Sequence, residues 1–364
     1  SSDKEFFARG KRADLCIIAT QDAQHKGHAL AALEAGYDLL LEKPLAVRWE
    51  DCRAVYDAAR ALKRRVFICH VLRYAPFFRL IKNELDTGAY GRVAAVNLTE
   101  NVCYWHQAHA YVRGNWRDGE TASPMIIAKC CHDLDILSHL IGAPCKAVSS
   151  MGSLGFFTAA NAPAKSSDKC LTCGARAECP YDAERIYLTD RFEKGLTGWP
   201  VDVLGENLTR EALLDALKTG PYGRCVFRCD NNVVDRQIVN MDFEDGAAAH
   251  LTMTAFSEDC YREIHVHGEK GEIFGNMRDN ALTCNIFGKG SKTLNVKDFE
   301  EGVYGHGGGD YFMIKDVAAA YCGGGEGLTS IENSMQSHAI GFAAEESRKN
   351  GGALTPVPKL SEKA

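Results

Sequence analysis

The chain has 364 residues, of which 46% are hydrophobic and 25% are charged, and its formal net charge is -6. This length and composition are ordinary for a protein of two globular domains with a large apolar core. The negative charge argues against nucleic acid or a membrane surface as the main partner, and no apolar run approaches the roughly 20 residues of a membrane span.

The cysteine content is high, at 15 residues. Most of them lie singly in apolar segments, where a free cysteine behaves as a small buried hydrophobe. An odd number argues against a framework made only of disulfides, and no secretory signal is recognisable. We therefore expect a reducing, cytoplasmic compartment. The cysteines of this kind are Cys16, Cys69, Cys103, Cys145, Cys225 and Cys284.

The first part of the chain alternates between strand-like and helix-like segments. Continuous apolar runs predict buried parallel strands, and the segments between them have helical periodicity. This order predicts part of a doubly wound α/β sheet over residues 1–72. The predicted strands are residues 15–20, 39–41 and 65–70, and the predicted helices are residues 28–35 and 49–62.

A second domain is predicted over residues 73–364. After Pro76 the pattern changes to that of an α/β domain with a large, open, mostly antiparallel sheet. Several predicted strands are joined by Asp-Gly or Glu-Lys-Gly turns, which favour hairpins. The predicted helices are residues 77–85, 124–141, 311–322 and 334–348, and the predicted strands are residues 92–102, 146–155, 225–230, 236–243, 247–257, 261–267 and 271–275.

The tripeptide Glu42-Lys43-Pro44 follows directly after the second predicted strand. Ligands of open α/β sheets bind at the carboxyl ends of the strands. A lysine at that edge is placed to contact a substrate; the alternative is a solvated lysine, or one paired with Glu42. The sequence contains no Gly-x-Gly-x-x-Gly loop between a strand and a helix, which a dinucleotide-binding domain uses to approach the pyrophosphate. We expect that the first βαβ unit of such a domain is missing from this chain.

Several of these features together resemble the glucose–fructose oxidoreductase / inositol dehydrogenase (Gfo/Idh/MocA) family. The matching pieces, in chain order, are Ile17-Ile-Ala-Thr20 with His25, Gly36, Glu42-Lys43-Pro44, Arg73-Tyr-Ala-Pro76, His132-Asp-Leu-Asp135 and Tyr261-Arg262 to Gly275. The resemblance implies a Rossmann domain, a second α/β domain that forms a homodimer or homotetramer, and NAD or NADP as cofactor. It implies hydride transfer to or from a carbon of a sugar, a polyol or a related compound.

Within that resemblance, two residues are expected to be catalytic. Lys43 would hydrogen-bond the reacting hydroxyl, and His132 would relay its proton, since histidine titrates near neutral pH. The residues expected to bind the cofactor are Ala19, Thr20, His25, Glu42, Lys43, Pro44 and Arg73.

The residues expected to bind the substrate come from five segments. Lys129, His132 and Asp135 recur at helical spacing, so they would share a face; a helix cap and an ordinary ion pair are the alternative. Trp105 lies in an aromatic segment suited to the apolar face of a sugar, or to packing against its own aromatics. The full set is Lys43, Arg73, Trp105, Lys129, His132, Asp135 and His306.

Cys170, Cys173 and Cys179 have a spacing suited to a structural zinc ion. A closed zinc site needs a fourth ligand, and none is obvious nearby in the sequence. Free thiols or a loop disulfide are the alternatives.

Three functions are compatible with these residues. The primary hypothesis is an NAD(P)-dependent dehydrogenase or reductase of CH–OH groups. The second is a glycosidase-type enzyme that oxidises a sugar transiently and reduces it again. The third is a sugar-binding module without catalysis.

Overall fold

The computed structural model describes residues 3–299, 306–323, 325 and 327–360. The α-helices in these ranges are α1 (Asp3–Ala8), α2 (His25–Glu34), α3 (Trp49–Ala61), α4 (Pro76–Asp86), α5 (Tyr104–His106), α6 (Met125–Ala128), α7 (Cys131–Ile141), α8 (Arg210–Thr219), α9 (Gly309–Gly323) and α10 (Ile331–Lys349). The strands are β1 (Leu15–Ile18), β2 (Asp38–Leu41), β3 (Val66–Ile68), β4 (Val93–Asn101), β5 (Cys145–Ser153), β6 (Arg236–Phe243), β7 (Ala248–Thr254), β8 (Tyr261–Gly268), β9 (Gly271–Asn276), β10 (Ala281–Ile286), β11 (Gly290–Asn295) and β12 (Thr355–Pro356). Residues Gln107–Arg113 and Arg185–Thr189 form π-helical turns.

The small sheet is parallel, with the order β1-β2-β3. All four residues of β2 are buried, as expected for an apolar strand covered on both faces. α3 buries Cys52, Val55 and Ala59, whose spacing of three and four residues places them on one side of the helix. Ile331 and Met335 of α10 complete the same core. The predicted Rossmann-like parallel sheet is therefore confirmed.

The large sheet has nine strands in the order β11-β10-β9-β8-β4-β7-β6-β5-β12. All neighbouring pairs in it are antiparallel except β4 and β7, which are parallel. Burial alternates strictly along β6, as in a sheet covered on one face only. The covered face packs against α7 and α10, with Leu98 of β4 at its centre. The predicted second domain with a mostly antiparallel sheet is confirmed.

Two of the predicted elements are wrong in instructive ways. The predicted strand at residues 225–230 is a turn, because the Arg228 N–H folds back onto the Cys225 carbonyl at 3.0 Å. The predicted helix at residues 124–141 is broken between α6 and α7, at Lys129 and Cys130. Lys129 therefore does not continue the helical face that carries His132.

The structure also corrects the interpretation of Cys103 as a solitary apolar side chain. Cys103 ends the segment after β4, Cys260 immediately precedes β8, and the two are joined as a disulfide with a Cα–Cα distance of 5.0 Å. The backbone of Cys103 has a φ of 65° and a ψ of 156°, a conformation that non-glycine residues adopt at a cost of about 1–3 kcal/mol.

No helix in the described part of the chain combines the length and apolar character required to span a lipid bilayer.

The centre of the large sheet gives a direct test of the fold. Leu98→Ala removes a side chain that is 1% exposed in β4, and we expect a loss of about 2–5 kcal/mol in unfolding free energy because a cavity remains. Urea denaturation followed by circular dichroism measures it. The matched control is Thr99→Ala, whose side chain points to the open face and is half-buried. Equal losses from both substitutions would contradict the assignment of faces.

Candidate active site

Lys43 lies at the carboxyl end of β2, in a segment that hydrogen bonds fix from both sides. The ring of the fully buried His25 contacts the Pro44 carbonyl at 2.7 Å and the Thr20 carbonyl at 3.0 Å. The Leu45 N–H donates to His338 Nε2 of α10 at 2.9 Å. The Lys43 ammonium group reaches across to the second domain and donates to the Ala128 carbonyl at 3.1 Å. The backbone of this segment thus directs the Lys43 side chain toward the residues that precede α7.

His132 is the buried base beside this lysine. It lies in the first turn of α7 and is 4% exposed, and its Nδ1 has no hydrogen-bond partner among the described residues. Burial, reinforced by the positive charge of Lys43, holds the pKa of His132 well below its usual value. The ring is therefore neutral at physiological pH, with a nitrogen able to accept a proton. The His306 ring lies on one side with its centroid 6.0 Å away.

Arg73 and Asp135 bind each other instead of projecting freely into the crevice. Arg73 donates to both carboxylate oxygens of Asp135, at 2.6 and 2.7 Å, and both side chains are at least 95% buried. Arg73 also donates to the Leu328 and Asn333 carbonyls. Burial alone would raise the pKa of Asp135, but Arg73 outweighs it and the net pKa is lowered. This geometry supports a positioning role for the pair and gives no support to the expected substrate or cofactor contacts.

His70 extends this pair toward His132. Its Nε2 is 3.6 Å from an Asp135 oxygen, and its ring centroid is 6.0 Å from that of His132. Burial lowers the pKa of His70 to about 3, in spite of Asp135. His70 was not among the predicted site residues, although it is the last residue of a predicted strand and so lies at the same edge of the sheet as Lys43.

A second buried charge network connects the start of α7 to β4 and β8 of the large sheet. Arg262 of β8 contacts Asp133 at 2.6 Å and Glu100 of β4 at 2.9 Å, and Lys129 contacts Glu100 at 3.3 Å. Burial raises the pKa of Asp133 to about 6, since the attraction of Arg262 is offset in part by the nearby Glu100. Glu100 was missed from the sequence because a lone acid on a strand carries no pattern.

An aromatic wall faces this network. Trp105 stacks on His106, with ring centroids 5.7 Å apart, and the Arg191 guanidinium lies 3.9 Å from the Trp105 ring. Burial, followed by Lys129, lowers the pKa of His106 well below its usual value. Trp199 packs against both aromatic rings. His106 is thus a neutral histidine, as His132 is, and it lies near Lys129. It was not among the predicted site residues.

The remaining predicted residues occupy the rim of the crevice. Ala19 and Thr20 are exposed at the end of β1, and the Glu42 carboxylate accepts from the Lys43 N–H at 3.2 Å. His306 is half-exposed and contacts the Asp310 carboxylate through Nδ1 at 3.0 Å. A separate cleft of about 570 Å³, lined in part by Arg79 and Lys315, does not include Lys43 or His132. Polar convergence rather than cavity volume therefore locates the site.

The Arg73–Asp135 pair yields a prediction about stability. Arg73→Leu leaves the Asp135 carboxylate buried and unpaired, so we expect a loss of about 3–5 kcal/mol and a lower urea midpoint. Because the folded pKa of Asp135 is depressed, the pair's contribution is present above the ordinary aspartate pKa and is lost as the pH falls through the folded value. In the double variant Arg73→Leu/Asp135→Leu most of the loss should be regained. A double variant that is less stable than the single one would contradict this account.

Comparison with known proteins agrees with this architecture. Residues 1–70 match the description "Oxidoreductase family, NAD-binding Rossmann fold", and residues 82–358 match "Oxidoreductase family, C-terminal alpha/beta domain". Together these matches span most of the sequence.

Individual relatives are more distant. A proposed oxidoreductase of Bacillus subtilis strain 168, YteT, is 22% identical over 332 residues, which are 85% of this chain and 73% of that protein. Inositol 2-dehydrogenase 2 of Saccharopolyspora erythraea is 30% identical over 130 residues, only 35% of either protein. The structure of levoglucosan dehydrogenase in complex with NADH and levoglucosan shares the fold, with a TM-score of 0.70 and 20% identity over 99% of this chain and 84% of that one. On the strength of the two family matches, the chain belongs to the Gfo/Idh/MocA family of oxidoreductases.

Proposed function

We propose that this protein transfers a hydride between a nicotinamide cofactor, NAD or NADP, and a carbinol carbon of a sugar, a polyol or a sugar derivative. The observation that carries the proposal is the neutral, buried His132 beside the Lys43 ammonium group, with an Nδ1 that has no hydrogen-bond partner among the described residues. Proton transfer and hydride transfer must occur together when an alcohol becomes a carbonyl. A base and a cation that lie together at the reacting oxygen meet the requirement for proton transfer.

The residues present fit the nicotinamide end of a dinucleotide. The carboxyl ends of β1, β2 and β3 meet at one edge, and exposed Ala19 and Thr20 line that edge. Open α/β sheets bind dinucleotides there. β1 has no outer neighbour among the described strands, and Ile17 on it is 63% exposed. We infer that a strand–Gly-rich loop–helix unit packs along β1 and completes the nucleotide site.

In the oxidising direction, the hydroxyl oxygen of the substrate lies between Lys43 and His132. Lys43 donates a hydrogen bond to that oxygen and stabilises the negative charge that develops on it. The unpartnered Nδ1 of His132 accepts the hydroxyl proton. A bound nicotinamide would supply the acceptor for the hydride. In the reducing direction, His132 returns the proton to the carbonyl oxygen.

The substrate class follows from the walls of the crevice. Trp105 and His106 present aromatic rings suited to the apolar face of a sugar ring. Lys129 is 17% exposed and His306 is half-exposed, so both have polar atoms available for the hydroxyl rim. Inositol 2-dehydrogenase 2 and levoglucosan dehydrogenase, among the relatives, are named for compounds of this class.

Substitution of the two proposed catalytic residues tests the function. We expect His132→Gln and Lys43→Met each to lower kcat at least about 100-fold, because one removes the base and the other the cation at the reacting oxygen. The assay follows NADH or NADPH absorbance with a panel of polyols and sugars. It uses the chain joined to an upstream Gly-rich βαβ unit.

Matched controls separate catalysis from folding. Lys146→Met removes an exposed lysine of β5, and His250→Gln removes a histidine on the open face of β7, so both should keep wild-type rates. NADH fluorescence titration should give unchanged affinity for His132→Gln. Full turnover by either catalytic variant would disprove the assigned roles, and the absence of nucleotide binding by the joined wild-type chain would disprove the function.

The pH dependence gives an independent test. His132 must be neutral to accept a proton, and its pKa is held well below 6.5 by burial and then by Lys43. We expect kcat/KM for oxidation to stay level as the pH falls through 6.5 and to decline only at more acidic pH. In the Lys43→Met variant the decline should move to higher pH, because that positive charge no longer opposes protonation. A wild-type decline centred at or above pH 6.5 would contradict this assignment.

A further inference from the structure

The structure brings a fourth cysteine to the three that are close in sequence. Lys169 and Arg224 form an antiparallel bridge, and the Cys225 N–H donates to the Asp168 carbonyl at 2.9 Å. This pairing places Cys225 beside Cys170, and the two share one buried cluster. Cys225 interacts electrostatically with Cys170 and Cys173, and Cys179 with Cys170 and Cys225. Cys170, Cys173, Cys179 and Cys225 are called the cysteine group below.

The local backbone of the cysteine group is that of metal-binding turns. The Cys173 N–H donates to the Cys170 carbonyl at 3.0 Å, which closes a tight Cys-x-x-Cys turn followed by Gly174. The Cys179 sulfur accepts from the Tyr181 N–H, and the Cys225 sulfur accepts from the Phe227 N–H. A Cys-x-x-Cys turn of this kind has the ligand spacing that is found in structural zinc sites.

An unpaired buried cation points to negative charge at this place. Arg113 is fully buried, and it donates to the Arg224 and Tyr181 carbonyls and to the Cys170 sulfur at 3.4 Å. Its Nη1 has no hydrogen-bond partner in the described part of the chain, and no ion pair with a carboxylate is present there either. A buried charge of this kind is costly unless an anion lies beside it.

We propose that the cysteine group binds one structural zinc ion, with Cys225 as the fourth ligand. Four thiols release four protons to solvent, and four thiolates with Zn²⁺ carry a net charge of about −2. The guanidinium group of Arg113 then offsets part of that charge, whereas Arg224 already contacts the Asp230 carboxylate at 2.6 Å. No three of these four sulfurs lie within 4.8 Å of one another in the described structure, so binding requires the side chains to rotate toward a common centre.

His265, His267 and Glu272 are a less suitable group, although their ligand atoms do lie within 4.8 Å of one another. They lie on the open face of the large sheet, partly exposed. Glu272 is already engaged by His265 at 2.8 Å and by Asn285 at 2.8 Å. No buried unpaired charge accompanies them among the described residues. The cysteine group therefore carries the proposal.

Zinc content and cobalt spectroscopy test this site without reference to catalysis. The purified chain should contain about one zinc per molecule by mass spectrometry of the metal. After exchange with cobalt(II), it should show the intense visible and near-ultraviolet bands of tetrahedral thiolate coordination. A metal-free wild-type chain that also fails to bind cobalt would overturn the proposal.

Cysteine variants identify the ligands. Cys225→Ser should lower zinc affinity at least about 10-fold, whereas Cys229→Ser, four residues further along the same turn, should keep full zinc content. Equal zinc affinity in Cys225→Ser and the wild type would overturn the assignment of the fourth ligand. If Cys225→Ser does not fold, alkylation of the native wild type decides: zinc should protect all four cysteines of the group, and a rapidly modified Cys225 would contradict the proposal.

Discussion

The buried pair of Arg73 and Asp135 is the interaction on which the site most depends. Arg73 comes from the turn after β3, and Asp135 comes from α7 in the second domain, so their contact fixes the two parts of the crevice relative to each other. Both ions are out of water, and neither is stable there alone. His70 lies against the same carboxylate and His132 lies one turn earlier on α7. His132, the proposed base, therefore depends for its position on a charge pair that need not touch the substrate.

α7 distributes its polar residues in three directions. Asp135 faces Arg73, Asp133 faces Arg262 on the large sheet, and His132 faces Lys43. Each aspartate is paired with a cation, whereas His132 lies near the positive charge of Lys43, which favours the neutral form of its ring. The two aspartates therefore fix the position of α7, and His132 remains able to accept a proton.

The far wall of the crevice is built differently. Trp105 and His106 complete the short helix α5, which continues as the π-helical turn Gln107–Arg113, and that turn ends in the buried Arg113. The same guanidinium contacts the loop of Cys170. The cysteine-rich region thus supports the back of the aromatic wall, which connects a proposed metal site to substrate binding through packing alone.

The sequence by itself determined the fold class, the family and the position of Lys43 and His132, because those rest on local periodicity and on short motifs in a fixed order. It also indicated a metal-binding spacing at Cys170, Cys173 and Cys179. Only the tertiary structure decided which charges pair. Arg73 and Asp135 are far apart in the chain, and each reads as a free functional group until the fold buries them together. The contacts of Glu100 and Cys225 could not be predicted for the same reason: their partners come from other strands and turns, and no sequence period encodes a contact between distant elements.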